Sequence, residues 1–485
     1  MRKQPAIERL DLDREPLELL AAWAPERPVL LLHSGGDDRR RARWSIAAEP
    51  ACWMTIGRAP GASGAAAGER PAAGFVDDPL HDVEAALAAT RIDPAPADGL
   101  DLPVRGGWIG YLSYELGRAI EPAVAASAGR PRDEWPLLQL AWCPDALVHD
   151  HSTGAWYAVG TPAPPEPPPA PRCAETAPPP ALGAWSSTLS PDAYVAAVTR
   201  TLEYIGAGDV FQANVTQRLS SPFAGSTRAL ARTALAASGA WYGAYLELPG
   251  GRTLVSMSPE LFLEVEPRGR RVRSRPIKGT RPRRVDPRDL ARSEKDAAEL
   301  HMIVDLMRND LGRVCCFGTV EVPVARTIET HGTVHHGVGE VTGTLRDAVS
   351  VTDLLRATFP AGSVTGAPKI RAMQIIETLE PAPRGPYCGA VGFISDHGAV
   401  GLNVAIRTML LQGDRPPGRS GELLNGVLDY GVGGGIVADS EPLAEYRESL
   451  DKAAVLAEVL PGTGLPTPFG ARSARRPSAA AAACR

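Results

Sequence analysis

The sequence predicts an α+β fold, and two patterns lead to this prediction. Short apolar or alternating runs separated by turn residues recur along the chain and predict antiparallel hairpins, such as 391–395 with 400–411. Longer segments, among them 191–206 and 369–379, carry apolar residues at helical spacing. No Gly-x-Gly-x-x-Gly unit opens a βαβ crossover and no Walker loop is present, so the sequence does not indicate a nucleotide-binding parallel sheet.

Composition and charge are ordinary for a globular protein, with 44% hydrophobic residues, 22% charged residues and a net charge of −5 over 485 residues. The small negative charge gives no global argument for a nucleic-acid or membrane partner. Seven cysteines without a Cys-x-x-Cys pair favour free thiols in the cytoplasm over disulfides or zinc. Residues 1–16 lack the apolar core of a signal peptide, and no run approaches the roughly 18 apolar residues of a spanning helix.

Composition along the chain predicts four regions. Residues 1–160 form an N-terminal domain of short strands, and residues 161–184 form a linker or loop rich in proline and alanine. Residues 185–461 form the second domain, which carries nearly all of the chemical signal. Residues 462–485 form a tail that we expect to be disordered.

A basic segment at 273–283 contains a single lysine, Lys278, among arginines and between two prolines. Neighbouring cations lower the pKa of a lysine and so favour a nucleophilic amine. The residues alone also allow a basic edge strand exposed to solvent. If the strand is regular, Arg273 and Arg275 point away from the side that Lys278 occupies.

The strand predicted at 210–219 alternates apolar and polar residues, with Phe211, Ala213 and Val215 on one face. The other face carries Gln212, Asn214 and Thr216. These amides and hydroxyls either line a polar cavity or face water, and the sequence leaves both interpretations open.

Two predicted helices carry carboxylates. In 292–310, Glu299 lies within an apolar stripe and Asp296 lies one turn earlier; in 441–460, Leu443 begins the predicted buried face. The opposite side of the second helix carries Glu445, Glu448 and Lys452. This side is either a solvated face with a Glu448–Lys452 ion pair or, together with the first helix, a site for Mg²⁺, which takes oxygen ligands.

Several segments predict binding of a small anionic substrate. The loop at 361–369 leads into a helix whose first amides can bind anions, and the glycines of 432–436 allow close approach of the main chain. Arg407, at the end of a strand predicted at 402–408, offers a bidentate fork. His336 lies in another predicted strand, where a structural role is the more common one.

Four separated segments resemble those of the chorismate-utilising enzymes, a family that includes anthranilate, aminodeoxychorismate, isochorismate and salicylate synthases. The resemblance covers about 185–460 and, more weakly, 25–120. The segments that carry it are PIKGT at 276–280, IVDLMRNDL at 303–311, SVTGAPK at 363–369 and GIVADS at 435–440. It implies two large antiparallel or mixed β-sheets in a sandwich flanked by helices, with the N-terminal portion packed with the catalytic half.

Within the family, PIKGT is similar to the variant of aminodeoxychorismate synthase component I, whereas anthranilate synthases have alanine at the position of Lys278. SVTG at 363–366 and Asn214 fit the same branch. Isochorismate and salicylate synthases place a water-activating lysine where this chain has Gln212, which argues for ammonia as the nucleophile. The resemblance therefore implies conversion of chorismate and ammonia to 4-amino-4-deoxychorismate, a precursor of para-aminobenzoate and folate.

The resemblance also implies individual roles. Lys278 would attack C2 of the ring, Glu260 would protonate the leaving C4 hydroxyl, and His336 would lie near that hydroxyl. Substrate-binding positions are implied at Gln212, Asn214, Thr365, Gly366, Tyr387, Arg407, Gly433, Gly435 and Lys452. Mg²⁺ would be held by Glu299 and Glu448, with Asp296 and Glu445 acting behind them or through water.

We expect a separate glutamine amidotransferase subunit to supply ammonia in a heterodimer, since the sequence shows no such domain. Some relatives bind tryptophan near the position of Ser34; here His33 replaces a glutamate often found before it, so tryptophan binding stays open. Two alternatives remain. One is anthranilate synthase component I, and the other is a non-catalytic protein that binds nucleic acid through the arginines of 268–292.

Overall fold

The structure is a computed structural model of the chain. It describes residues 4–36, 38–57, 78–93, 99–124, 135–160, 165, 167–168, 180–332, 334–415, 422–453 and 456. The predicted tail at 462–485 and most of the predicted linker at 161–184 lie outside these ranges. The division into domains therefore stays a prediction.

The strands follow one another along both halves of the chain. In chain order they are β1 Ala6–Leu10, β2 Leu30–His33, β3 Trp44–Ala48, β4 Cys52–Ile56, β5 Gly107–Leu112, β6 Leu138–Cys143, β7 Ala146–Asp150, β8 Ala155–Gly160, β9 Ala181–Leu182, β10 Ser186–Ser187, β11 Gln212–Ala224, β12 Tyr242–Leu248, β13 Arg252–Ser258, β14 Leu261–Val265, β15 Arg271–Arg275, β16 Ile277–Pro282, β17 Glu321–His331, β18 Val334–Thr344, β19 Gly366–Ala367, β20 Ala390–Ser395, β21 Val400–Val404, β22 Thr408–Gln412 and β23 Asn425–Ile436.

The helices lie between these strands. They are α1 Leu19–Ala22, α2 Pro79–Thr90, α3 Leu116–Ile120, α4 Pro191–Gly206, α5 Thr227–Ser238, α6 Pro287–Arg292, α7 Glu294–Gly312, α8 Val351–Thr358, α9 Lys369–Leu379 and α10 Pro442–Asp451, with short 3₁₀ turns at Pro16–Glu18 and Gly362–Val364. The predicted start of α4 is confirmed, since Ser190 Oγ accepts from the Ala193 amide at 3.2 Å and proline follows. None of the helices in the described part of the chain has the length and apolarity to cross a membrane.

The strands form two large antiparallel sheets, and each draws on both halves of the chain. In the described residues the first sheet has thirteen strands, and N-terminal β2 pairs with β12 in it. The second sheet has ten strands, and β5 pairs with β20 in it. One buried cluster contains residues of both sheets, including Leu246 of the first and Leu263 of the second. The two sheets therefore pack on a shared core, and the predicted α+β sandwich is confirmed.

The helix predicted at 292–310 corresponds to α7, which begins at Glu294 because the Ser293 hydroxyl caps it by accepting from the Asp296 amide at 3.3 Å. Two local predictions of burial are wrong. Leu443 was expected on the buried face of α10, yet it is 37% exposed. Glu445 is buried, so the side of α10 that carries it is not simply a solvated face. Phe211 precedes β11 and is 73% exposed, so it does not share the buried face of Ala213.

Candidate active site

Lys278 lies on β16 and is buried, with 9% of its surface exposed. A Cβ atom added to Gly435 of β23 would lie 2.9 Å from the Lys278 Nζ, so the amine reaches from the second sheet to the first. The register of β16 against β18 shifts between Lys278 and Thr280, where Gly279 has a φ of 79°. This β-bulge changes the direction of β16, the strand that carries Lys278, next to α7.

Burial is the main cause that lowers the pKa of Lys278; the charge of Lys452 lowers it further, and Glu299 opposes both. The arginines of the same segment were expected to lower it, and that prediction is wrong. Arg273 contacts Glu264 at 2.7 Å, and Arg275 contacts Glu329 at 2.6 Å. These ion pairs engage both arginines of β15 and leave them less available to an external polyanion.

Glu260 lies at the corner between β13 and β14 and is 3% exposed. The amide of Ile277, the residue before Lys278, donates to its carboxylate at 3.4 Å. Burial raises the pKa of Glu260 to about 7, although the Ser363 hydroxyl, the Ile277 amide and Lys278 favour the ionised form. A carboxyl with this pKa keeps a proton near neutral pH and can donate it to a leaving group.

The polar face of β11 lines the interior, which decides between the two interpretations of its sequence. Gln212 is fully buried, and neither polar atom of its amide has a hydrogen-bond partner among the described residues. A Cβ atom on Gly435 would lie 2.7 Å from the Gln212 Nε2. Buried amides without partners are rare, so this one indicates a place where a ligand or water binds.

The glycines of β23 are the register partners of the polar residues of β11. Gly435 pairs with Asn214 and Gly433 pairs with Thr216. The Lys452 ammonium donates to the Gly433 carbonyl at 2.7 Å and pairs with Glu448 at 3.0 Å, so the predicted ion pair of α10 is confirmed. A bare main chain and a cation therefore adjoin the amine of Lys278.

His336 is 1% exposed, and its Nδ1 lies 2.9 Å from the Thr280 hydroxyl. Burial and the charge of Arg407 hold the pKa of His336 well below its usual value, so the imidazole is neutral. Its Nε2 has no partner in the part of the chain that the structure describes. Arg407 does not end a continuous strand as predicted. It lies between β21 and β22 in a left-handed conformation with a φ of 50°.

Thr365 and Gly366 form the wall next to β11. The Asn214 amide donates to the Thr365 carbonyl at 2.8 Å, and Gly366 pairs with Ala213. A Cβ atom on Gly366 would lie 2.1 Å from the Gln212 carbonyl oxygen, so only glycine fits there. The fully buried Thr365 hydroxyl donates to the Ala361 carbonyl at 3.1 Å and closes its own loop.

Tyr387 is buried, and its ring packs on the main chain of Gly431, where a Cβ atom would lie 2.2 Å from the ring. The ring thus contacts β23 two residues before Gly433, which places Tyr387 beside the same glycine strand. Its contact with Gly431 holds the ring against the sheet, while its role towards a substrate stays a prediction.

The carboxylates of α7 and α10 face each other across Lys295, whose ammonium lies 4.0 Å from Glu299 and 3.6 Å from Glu445. Asp296 contacts Arg281 at 2.8 Å. Burial raises the pKa of Glu299, and the charges of Asp296 and Glu445 add to the increase against Lys278 and Lys295. Lys452 lowers the pKa of Glu448. Negative charge from two helices therefore gathers at one place.

This donor set suits a hard cation in chemistry, because it consists of carboxylate oxygens around a region of excess negative charge. The Ser440 hydroxyl already donates to Glu445 at 2.6 Å, and Asp296 is engaged by Arg281. Among the described residues no three His, Cys, Asp or Glu side chains form a preformed metal cluster. The residues fit Mg²⁺ by type and charge, and the metal itself stays a prediction.

Comparisons with known proteins show the family of the chain. The family model described as chorismate binding enzyme matches residues 29–458. The chain belongs to this family. Aminodeoxychorismate synthase component 1 of Salmonella typhimurium is 36% identical over 87% of this chain and 91% of its own length. Anthranilate synthase component 1 of Streptomyces coelicolor is also 36% identical, over 78% and 76%.

The crystal structure of anthranilate synthase component I from Streptococcus pneumoniae superposes with a TM-score of 0.68 and 27% identity, covering 85% of this chain and 91% of that one. The chain is therefore a chorismate-utilising enzyme of this fold. Because family members with different products are equally similar, overall identity does not choose between aminating at C4 and making anthranilate. That choice has to come from residues at the site.

Ser34 lines a cavity of about 540 Å³, and Lys278 is not among the residues that line it. The cavity is bounded by Trp241 and Arg43, among others, and the Ser34 amide donates to the Ser45 hydroxyl at 3.2 Å. The neighbouring His33 is buried, and its pKa is lowered to about 3 mainly by burial. Whether the family's tryptophan ligand binds here stays a prediction.

Sequence reasoning missed two buried ion pairs behind the site. Lys369 contacts Asp310 at 2.5 Å and thereby ties α9 to α7. Arg384 contacts Glu380 at 2.6 Å, with both side chains almost fully buried. The second pair joins residues four positions apart, but α9 ends at Leu379, so the helical i, i+4 rule gave no signal for it. The first pair joins residues 59 positions apart, and the sequence alone gave no sign of it.

Proposed function

We propose that this enzyme is component I of aminodeoxychorismate synthase, which converts chorismate and ammonia to 4-amino-4-deoxychorismate and water. Lys278 carries the proposal. It is a buried amine with a lowered pKa, beside the protonated carboxyl of Glu260, and by resemblance anthranilate synthases have alanine at its position. A lysine that sheds its proton is a nucleophile, whereas alanine leaves direct attack by ammonia.

In the proposed first step the Lys278 Nζ forms a bond to C2 of the ring while the C4–O bond breaks and the ring double bonds shift between them. Glu260 gives its proton to the departing hydroxyl, which leaves as water. Ammonia then forms a bond to C4, the double bonds shift back and the C2–N bond to Lys278 breaks. The proton released by the added nitrogen restores Glu260, so the net change is chorismate plus ammonia to aminodeoxychorismate plus water.

The surrounding residues support ammonia over water. Gln212 is an amide and so has no basic group with which to activate water, although its unpartnered donor and acceptor can hold a small polar molecule near Lys278. Neutral His336, with its free Nε2, suits a hydrogen bond to the C4 hydroxyl. Lys452 and Arg407 offer positive charge to the two carboxylates of chorismate.

Mg²⁺ would be held by Glu299 and Glu448, with Asp296 and Glu445 supporting them directly or through water. When bound, it supplies positive charge to the ring carboxylate as electrons shift towards it. Within the chain, Lys295 and Lys278 offset the same carboxylates, and Arg281 holds Asp296 in place.

We also propose a glutamine amidotransferase subunit as the source of ammonia, supported by the designation of the aminodeoxychorismate synthase relatives as component 1. A cytoplasmic location fits the free cysteines at 52, 143, 315, 316 and 388 among the described residues. The para-aminobenzoate route is the expected use of the product.

The test is an assay of the purified chain with chorismate, Mg²⁺ and an ammonium salt, with and without the lyase that converts aminodeoxychorismate to para-aminobenzoate. We expect para-aminobenzoate only when the lyase is present. The second candidate, anthranilate synthase component I, is favoured by relatives of equal identity, and it predicts fluorescent anthranilate without any lyase. Formation of anthranilate as the main product would overturn the proposal.

A further inference from the structure

Arg384 is a buried cation that the proposed chemistry does not use. It lies between α9 and β20, and its guanidinium pairs with Glu380 through Nε to Oε2 at 2.9 Å and Nη2 to Oε1 at 2.6 Å. The ring of Tyr114 covers the guanidinium at 4.4 Å. A charge so far from water is costly unless its donors are satisfied, so the partners of this one indicate what it holds.

Its other donors bind the main chain of two segments that line the site. Nη1 donates to the Val364 carbonyl at 2.7 Å, directly before Thr365. Nη2 donates to the Asn214 carbonyl at 2.7 Å. One guanidinium thus spans the loop that carries Thr365 and Gly366 and the strand that carries Gln212 and Asn214.

Glu380 adds a third attachment to the same strand. Its Oε1 accepts from both the amide and the hydroxyl of Thr216, each at 2.9 Å. Thr216 of β11 is the register partner of Gly433 on β23. The Arg384–Glu380 ion pair therefore fixes the position of β11 relative to the loop that carries Thr365. Because β11 pairs with β23, the same ion pair also fixes the glycines of β23 relative to that loop.

Residues of the N-terminal half also bind the segment that carries Arg384. The Glu115 carboxylate accepts from the amides of Arg384 at 2.8 Å and Gly385 at 3.0 Å. The Tyr114 amide donates to the Gly385 carbonyl at 2.8 Å. Residues of the N-terminal half thus fix the segment from which the guanidinium projects.

We infer that Arg384 is a positioning residue for chorismate, setting the separation between the Thr365 loop and the Asn214 strand without touching the substrate. The inference rests on the proposed function, because these two segments are taken as substrate contacts there. Only a planar fork can pair bidentately with Glu380 and still donate to two diverging carbonyls. A lysine at this position keeps the charge and loses that geometry.

The test compares Arg384→Lys with Arg228→Lys in the full chain, using chorismate, Mg²⁺ and an ammonium salt. Arg228 is a matched control because it is also buried, pairs with Glu247 at 2.7 Å and donates to main-chain carbonyls, but among residues of a different core cluster. Both variants lose thermal stability. We expect only Arg384→Lys to raise the KM for chorismate, by about tenfold, with kcat kept within about threefold, since a misplaced contact weakens binding before chemistry.

A KM for Arg384→Lys that equals that of the wild type, or a loss of activity that only follows the folded fraction as in Arg228→Lys, overturns the inference. If Arg384→Lys does not fold, Glu115→Gln gives the same test, because Glu115 binds the main-chain amides of Arg384 and Gly385. A KM for chorismate raised about threefold would support the inference, and an unchanged KM would refute it. Failure of the proposed function is distinguishable, because the wild-type chain would then give no aminodeoxychorismate.

Discussion

Because burial raises the pKa of Glu260, the free energy of unfolding should depend on pH, by an amount that follows from the size of the pKa shift. The carboxyl titrates at about 7 in the folded protein and near 4.5 when exposed. Because the folded pKa is raised, the carboxyl costs nothing below pH 4.5 and destabilises the fold increasingly up to about pH 7. At about 1.4 kcal/mol per pH unit, the full cost is about 3 kcal/mol above neutrality.

Replacing Glu260 by glutamine removes this titration and keeps the size of the side chain. Relative to the wild type, we expect Glu260→Gln to be more stable at pH 8 than at pH 5 by about 2.5 kcal/mol, measured by urea unfolding at both pH values. Glu266→Gln is the control, because Glu266 follows β14, is exposed and pairs with Arg273 at 3.7 Å. A pH-independent effect of Glu260→Gln would show that the carboxyl is not held protonated and would remove it as the general acid.

Three further predictions concern the site itself. Lys278→Ala should lower the rate of amination at C4 by roughly a thousandfold or more and divert remaining product towards anthranilate, as read by chromatography of the products; an unchanged rate and product would exclude the covalent route. Gly435→Ala should lower kcat/KM by about a hundredfold by crowding Lys278, whereas Gly206→Ala, with open space around it, should leave kcat/KM unchanged. Glu299→Gln should raise the Mg²⁺ concentration for half-activity by about tenfold, and exposed Asp451→Asn on α10 should not; equal behaviour of the two would argue against the metal site.

The sequence predicted those parts of the site that depend on residues close together in the chain. Alternation along β11 placed Gln212 and Asn214 together on one polar face, without deciding whether that face lines a cavity, and the lysine motif located Lys278 on its strand. The hairpins and helix caps followed from turn and capping residues, because these act within a few positions of the chain.

The parts that the sequence did not predict depend on contacts between distant segments. Arg384 gains its importance from carbonyls that lie 20 and 170 positions away, and no periodic pattern encodes such a contact. The lowered pKa of Lys278 was expected from nearby arginines, yet burial causes it, because those arginines form ion pairs across the sheet. The sequence left open whether Glu445 of α10 faces water, because its burial beside Lys295 of α7 depends on packing between the two helices.

The central claim, amination of C4, is tested most directly by following the nitrogen. The enzyme is incubated with chorismate, Mg²⁺ and ¹⁵N-labelled ammonium, and the unfractionated product is examined by ¹⁵N–¹³C NMR. The account predicts ¹⁵N bonded to C4 of a ring that keeps its enolpyruvyl group, and no signal at C4 above background with Lys278→Ala. A product with ¹⁵N at C2 and released pyruvate would contradict it.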